Sequence, residues 1–96
     1  MHIGTLSGLG AVFFSDLRAG QGTYEIQIVD ENGALRVSGR YVGKAKAWRI
    51  QDTLNSTLHF ATGERIKILI IGDPEVGQFN FDVVEGESIA ICRSLV

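Results

Sequence analysis

The segment ILIIGDPEVGQF places Gly72 and Gly77 after an apolar run, with the glycine spacing of a phosphate-binding loop. Such a loop also needs a lysine after the second glycine, a hydroxyl group for magnesium, and a helix whose N-terminus faces the phosphate. Gln78 and Phe79 occupy the positions of the lysine and the hydroxyl residue, and QFNFDVV alternates as a strand does. The segment therefore predicts a hairpin loop and no nucleotide site.

The other residues that could carry chemistry are few. His2 and His59 are the two histidines, and Cys92 is the one cysteine. Zinc sites draw about four nitrogen or sulfur ligands at short spacings, so we predict no metal site and no cofactor. We expect Cys92 to be a small, partly buried residue in a terminal strand. We predict no catalytic residue, and the sequence favours a protein that is not an enzyme.

Charge is divided along the chain. Residues 32–51 hold five basic side chains and no acid, whereas residues 68–92 hold five acids and no base. Basic β surfaces with aromatic side chains bind single-stranded nucleic acid in small barrels. The candidate contacts to an anion or nucleic acid are Arg36, Arg40, Lys44, Lys46, Trp48 and Arg49.

The net charge of −2 argues against a polyanion-binding protein. Tyr41 alternates with Arg40 and should point inward, and Trp48 could anchor a helix to the core. We therefore favour a surface of two signs, whose basic and acidic parts attract each other within one molecule or between copies.

Alternation with period two dominates the sequence. TYEIQIV and ALRVSGRYV flank the turn signal Asn32-Gly33, which predicts a β-hairpin over residues 22–42. A second hairpin is predicted over residues 56–72, turning at TGE. Its second strand has Ile66, Ile68 and Ile70 on one face and apolar side chains at the end of the other, so we expect it to lie inside a sheet.

The remaining segments complete a small β domain. Residues 43–55 have helical spacing and favour a short helix, although KAKAWRIQ also fits a strand. SIAIC is predicted to add a last short strand, and Gly8 and Gly10 to break the N-terminal strand at a bend. The prediction is one mainly β domain over residues 1–96, an antiparallel barrel or sandwich of six to seven short strands with one short helix.

A resemblance to a family accompanies these patterns. GTYEIQIVDENGALRVSGRY, followed by TLHFATGERIKILIIG and GQFNFDVVEG, resembles small bacterial all-β proteins in its turns and closing strand. The similarity spans about residues 4–86 and rests on the spacing of turns and strands. It implies a compact β domain and brings no assigned activity with it.

These observations predict a non-enzymatic binding or interaction domain that self-associates, most simply as a homodimer. Leu69 and Ile71 would be covered by the short helix or by a second copy. The alternatives are a nucleic-acid-binding barrel that uses the basic segment, and a small-ligand binder or enzyme whose site forms only on folding. The sequence has a single cysteine and no signal peptide pattern, which predicts a cytoplasmic protein. It has no apolar run longer than residues 68–71, so we expect no membrane segment.

Overall fold

The computed structural model describes residues 1–46 and 54–96 of the chain. The strands are β1 (His2–Phe14), β2 (Leu17–Glu31), β3 (Ala34–Val42), β4 (Ser56–Phe60), β5 (Arg65–Ile71) and β6 (Gln78–Val83), followed by the helix α1 (Gly86–Ser94). The protein is mainly β, as the alternation predicted, and of the two predicted architectures it forms the barrel.

The six strands close into a ring in the order β1-β2-β3-β6-β5-β4. Each half of the chain is a three-stranded meander, and the meanders join where β3 pairs with β6 and β1 pairs with β4, both antiparallel. Closure gives every strand two neighbours, although residues 4–9 of β1 and residues 34–37 of β3 pair with β2 alone. Alternate side chains point into the core or outward to the surface.

Both predicted hairpins are confirmed. β2 pairs with β3, and the turn between them has positive φ at Asn32 (55°) and Gly33 (87°). The backbone N–H of Gly33 donates to Asp30 Oδ1 at 2.8 Å, which stabilises the turn. β4 pairs with β5, and Ile66 and Ile68 are buried while Ile70 is partly buried. The strand predicted to be internal is therefore internal.

The core fills the barrel with aromatic and branched side chains. Tyr41 and Phe81 are fully buried, and the Tyr41 hydroxyl donates to the backbone oxygen of Gly10 at 3.3 Å. A Cβ atom on Gly39 would lie 2.6 Å from Cζ of Phe81, so the missing side chain at this inward position makes room for the ring. Tyr41 points inward, as its alternation with Arg40 predicted.

The loop between β5 and β6 closes one end of the barrel. Its carbonyl groups accept hydrogen bonds from the segment after β3: Gly43 N–H donates to Gly77 at 2.8 Å, and Ala45 N–H donates to Pro74 at 3.0 Å. Ala45 and Pro74 are buried. The loop is a hairpin connection, as predicted, and positive φ at Gly72 (96°) and Gly77 (106°) explains both of its glycines.

α1 closes the opposite end of the barrel. The Ser88 hydroxyl oxygen accepts a hydrogen bond from the backbone N–H of Lys67 at 2.8 Å. Cys92 is buried in the core, and Val96 lies against Gly4 of β1. The predicted last strand at SIAIC, with Cys92 in it, is wrong. The segment forms α1 instead, where Ser88 and Cys92, four residues apart on a helix, share one buried face.

Two further predictions concerned a helix over residues 43–55 and a break in the N-terminal strand. Within the predicted helix over residues 43–55, residues 43–46 are not helical and form the segment that donates hydrogen bonds to the β5–β6 loop. Residues 47–53 lie outside the described part of the chain. The predicted break at Gly8 and Gly10 is wrong, because β1 pairs continuously with β2 through both glycines and shifts register only near its two ends.

Within residues 1–46 and 54–96, no helix has both the length and the apolar character needed to cross a membrane.

The fold predicts an unreactive Cys92 thiol. Burial raises its pKa from the ordinary 9.0 to about 11, which lowers the thiolate fraction at pH 8 by about 100-fold. The side chain is also fully buried in the core. Ellman's reagent should therefore react with the native protein at least about 100-fold more slowly than with the protein in guanidinium chloride. Equal rates in the two states would contradict this packing.

Candidate functional site

Arg36 and Arg40 lie on the outer face of β3, beside an open groove of about 450 Å³. The groove runs across β2, β3, β6 and the end of β5, and we call it the Arg40 groove. It is lined by Glu25, Gln27, Arg36, Ser38, Gly39, Arg40, Ile71, Asn80, Phe81 and Asp82. Four of these side chains carry charge, two of each sign.

The strand register fixes the order of charges in the groove. Arg40 is paired with Glu25 of β2 on one side and with Asn80 of β6 on the other. Asp82 follows two positions along β6, where it is paired with Ser38. The basic and acidic segments of the sequence therefore lie side by side on neighbouring strands, as the two-signed interpretation anticipated. The groove is polar and close to neutral as a whole.

The two arginines have different surroundings. Arg36 forms an ion pair with Glu31 at 3.7 Å, and both side chains are exposed, so the pair contributes about 0–1 kcal/mol. Arg40 makes no ion pair within the described residues and borders two further cavities besides the groove. Arg40 is thus the central basic group of this face.

Two of the other predicted contacts lie on a different part of the surface, and two fall on residues that the structure does not describe. Lys44 and Lys46 lie at the closed end of the barrel, where they line a separate hollow with Glu75. Trp48 and Arg49 fall within residues 47–53, outside the described residues. Of the four predicted contacts that the structure describes, Arg36 and Arg40 share the Arg40 groove, and Lys44 and Lys46 share the separate hollow.

An apolar patch borders the Arg40 groove. Leu69 is 47% exposed, Ile71 51% and Val76 67%. Ile71 and Val76 line one hollow together with Arg40. α1 contacts β5 at Lys67 and leaves Leu69 and Ile71 exposed. We call these three residues the β5 apolar patch.

Sequence reasoning missed an aromatic pair on the outer surface of β1 and β4. The rings of Phe13 and His59 stack with their centroids 4.0 Å apart and their planes 16° from parallel. Burial lowers the pKa of His59, and the positive charge of Arg65, its register partner on β5, lowers it further. The alternation of side chains in the sequence placed both rings on outward faces of their strands. It could not show that the two rings meet, because β1 and β4 are distant in sequence.

The His59 environment predicts a loss of stability in acid. Its pKa is lower in the folded than in the unfolded protein, so the unfolded state gains a proton first as pH falls through the ordinary value of 6.5. The contribution of His59 to the free energy of unfolding is complete above pH 6.5 and declines below that pH. Urea unfolding at pH 7.5 and 5.5 should show a smaller loss of stability in His59→Gln than in the wild type. The same loss in both proteins would contradict this environment.

Among the described residues, no group of three or more histidine, cysteine, aspartate or glutamate side chains is arranged to hold a metal ion. The fold and the outer surfaces define a small closed β-barrel with a mixed-charge groove. Comparison of the chain with protein-family models, curated proteins and solved structures found no match in any of the three.

Proposed function

We propose that the protein is a non-enzymatic interaction domain that forms a homodimer through the Arg40 groove and the β5 apolar patch. The observation that carries the proposal is the half-exposure of Leu69 and Ile71 on a strand whose other face is core. Nothing in the described part of the chain covers them. Contiguous apolar surface beside polar residues is typical of protein interfaces.

A second copy is the partner that the chemistry of this face supports best. A two-fold axis places the same patch from both copies together, so Leu69 and Ile71 of one copy meet those of the other. The groove carries both signs of charge, so Arg40 of one copy can face Glu25 or Asp82 of its partner. Apolar burial would supply most of the affinity, and charge would set the orientation.

The alternative of nucleic acid at the basic segment has weaker support. Glu25 and Asp82 share the groove with Arg36 and Arg40 and would repel a phosphate backbone. Lys44 and Lys46 line a different hollow, where they are accompanied by Glu75. A small-ligand site or an enzyme is also less supported, because the groove is an open surface rather than an enclosed pocket. The free, buried Cys92 fits the cytoplasmic location that belongs to this proposal.

Sedimentation equilibrium over a wide concentration range tests the proposal. The expected result is a reversible monomer–dimer equilibrium that persists in high salt, because burial of the apolar patch dominates the affinity. Exposed charge pairs contribute about 0–1 kcal/mol each, so salt should weaken the dimer only slightly. A single species of monomer mass at high micromolar concentration, in low and high salt alike, would refute it.

A further inference from the structure

The surface around Phe13 and His59 lies on the opposite side of the ring from the Arg40 groove. In the ring order, β1 and β4 are adjacent, and β3 and β6 are the strands farthest from them. The β1–β4 side carries the stacked aromatic pair on its outer face. We call it the Phe13–His59 face, and its cations are Arg18, Arg65 and Lys67.

The strand register places these cations on both sides of the aromatic pair. Arg18 of β2 is the partner of Phe13, and Arg65 of β5 is the partner of His59. Lys67 occupies the next outward position of β5. Because β1 and β4 lie between β2 and β5, the basic side chains flank the rings from two directions. Arg18 donates to the Gln21 side chain at 2.6 Å, which holds it beside the pair.

The balance of charge differs from that of the Arg40 groove. The hollow beside the aromatic pair is about 310 Å³ in volume, and its lining within the described residues includes no acid: Leu9, Gly10, Ala11, Phe13, Arg18, Gln21, His59, Phe60 and Ala61. Acids near it in sequence have other contacts: Glu64 accepts a hydrogen bond from Thr62, and Glu85 pairs with Lys67 at 3.7 Å. Asp16 lies in the exposed turn after β1. The described lining of the hollow is therefore basic and aromatic, and these three acids lie outside that lining.

We propose that the Phe13–His59 face binds single-stranded nucleic acid. A stacked pair of partly exposed rings offers its free faces and edges to a base, and base stacking on aromatic side chains tolerates any sequence. Arg18 and Arg65 would contact phosphates on either side of the stacked base. A duplex keeps its bases stacked on one another, so this face should prefer a single strand. The site is distinct from the proposed dimer interface, and each can fail without the other.

Fluorescence anisotropy with a labelled oligothymidylate in low salt tests the proposal. Arg18→Gln with Arg65→Gln should weaken binding at least tenfold, and His59→Ala about tenfold, the size expected for one stacked base. Arg36→Gln with Arg40→Gln is the matched control when all proteins are measured at concentrations below the dimer range, since it removes the same charge from the opposite side and should change binding less than about twofold. Circular dichroism and thermal melting establish that each variant is folded.

Two competitors and the salt dependence separate the outcomes. With Arg18 and Arg65 on phosphates, the slope of log affinity against log salt should be about −1.4, from about −0.7 per phosphate contact on a single strand. Unlabelled oligothymidylate should compete better than a duplex or polyglutamate of equal charge. Absence of binding, equal loss in both double variants, or equal competition by polyglutamate would overturn the proposal. The last result would indicate a surface for acidic proteins.

Discussion

Ile68→Ala should lower the free energy of unfolding by about 2–5 kcal/mol, the cost of truncating a large buried aliphatic side chain. Ile68 is 3% exposed and lies on β5 between β4 and β6, so its truncation leaves a cavity in the core. A domain of this length has a total stability of about 5–14 kcal/mol. The substitution would thus remove a large share of it.

The same strand offers a matched control. Ile71→Ala makes the same chemical change three residues later, where the side chain is 51% exposed. Measured below the dimer concentration range, it should cost less than about 1 kcal/mol, since little packing is lost. Urea denaturation of both variants is the measurement. A cost below half a kcal/mol for Ile68→Ala would show that β5 is not core.

Ile71→Glu should dissociate the proposed dimer. Fully burying an exposed valine, leucine or isoleucine contributes about 1.5–3 kcal/mol, so the partly exposed Leu69, Ile71 and Val76 of two copies offer about 5–10 kcal/mol in all. Glutamate at position 71 removes about a third of that and places a carboxylate of each copy at the interface. The dimer should be at least about 100-fold weaker, while the barrel stays folded.

Leu17→Glu provides the comparison for this variant. Leu17 is 63% exposed at the start of β2, outside the Arg40 groove and the β5 apolar patch. The change introduces the same charge at a similarly exposed leucine and should leave the dimer unchanged. Equal weakening by Leu17→Glu and Ile71→Glu would mean that net charge, rather than this face, controls association.

Much of the barrel could be predicted from the sequence because side chains along the strands alternate between the core and the surface with a period of two residues. Asn32-Gly33 fixed one turn, and the apolar character of both faces at the end of β5 indicated an internal strand. The C-terminal helix was missed, because Ile89 and Ile91 alternate like strand residues. The helix buries Ser88 and Cys92 against the barrel, and the strands that form this surface are distant in sequence from the segment.

The surfaces were less predictable than the fold. The cluster of basic residues after position 32 is real as a sequence feature, but the chain leaves β3 at Val42 and carries Lys44 away from Arg40. Glu25 and Asp82 reach the groove from other strands. Phe13 and His59 meet only through the β1–β4 pairing that closes the barrel. Charge counted along the chain could therefore not show which groups share a surface.

Isotope-filtered nuclear Overhauser effects in a mixture of methyl-labelled and unlabelled copies test the proposed interface most directly. If the two-fold contact forms through the β5 apolar patch, the methyl groups of Leu69 and Ile71 will show intermolecular effects, and those of Leu17 will show none. Intermolecular effects confined to other methyl groups, or none at Leu69 and Ile71 at the highest soluble concentration, would contradict self-association through this face.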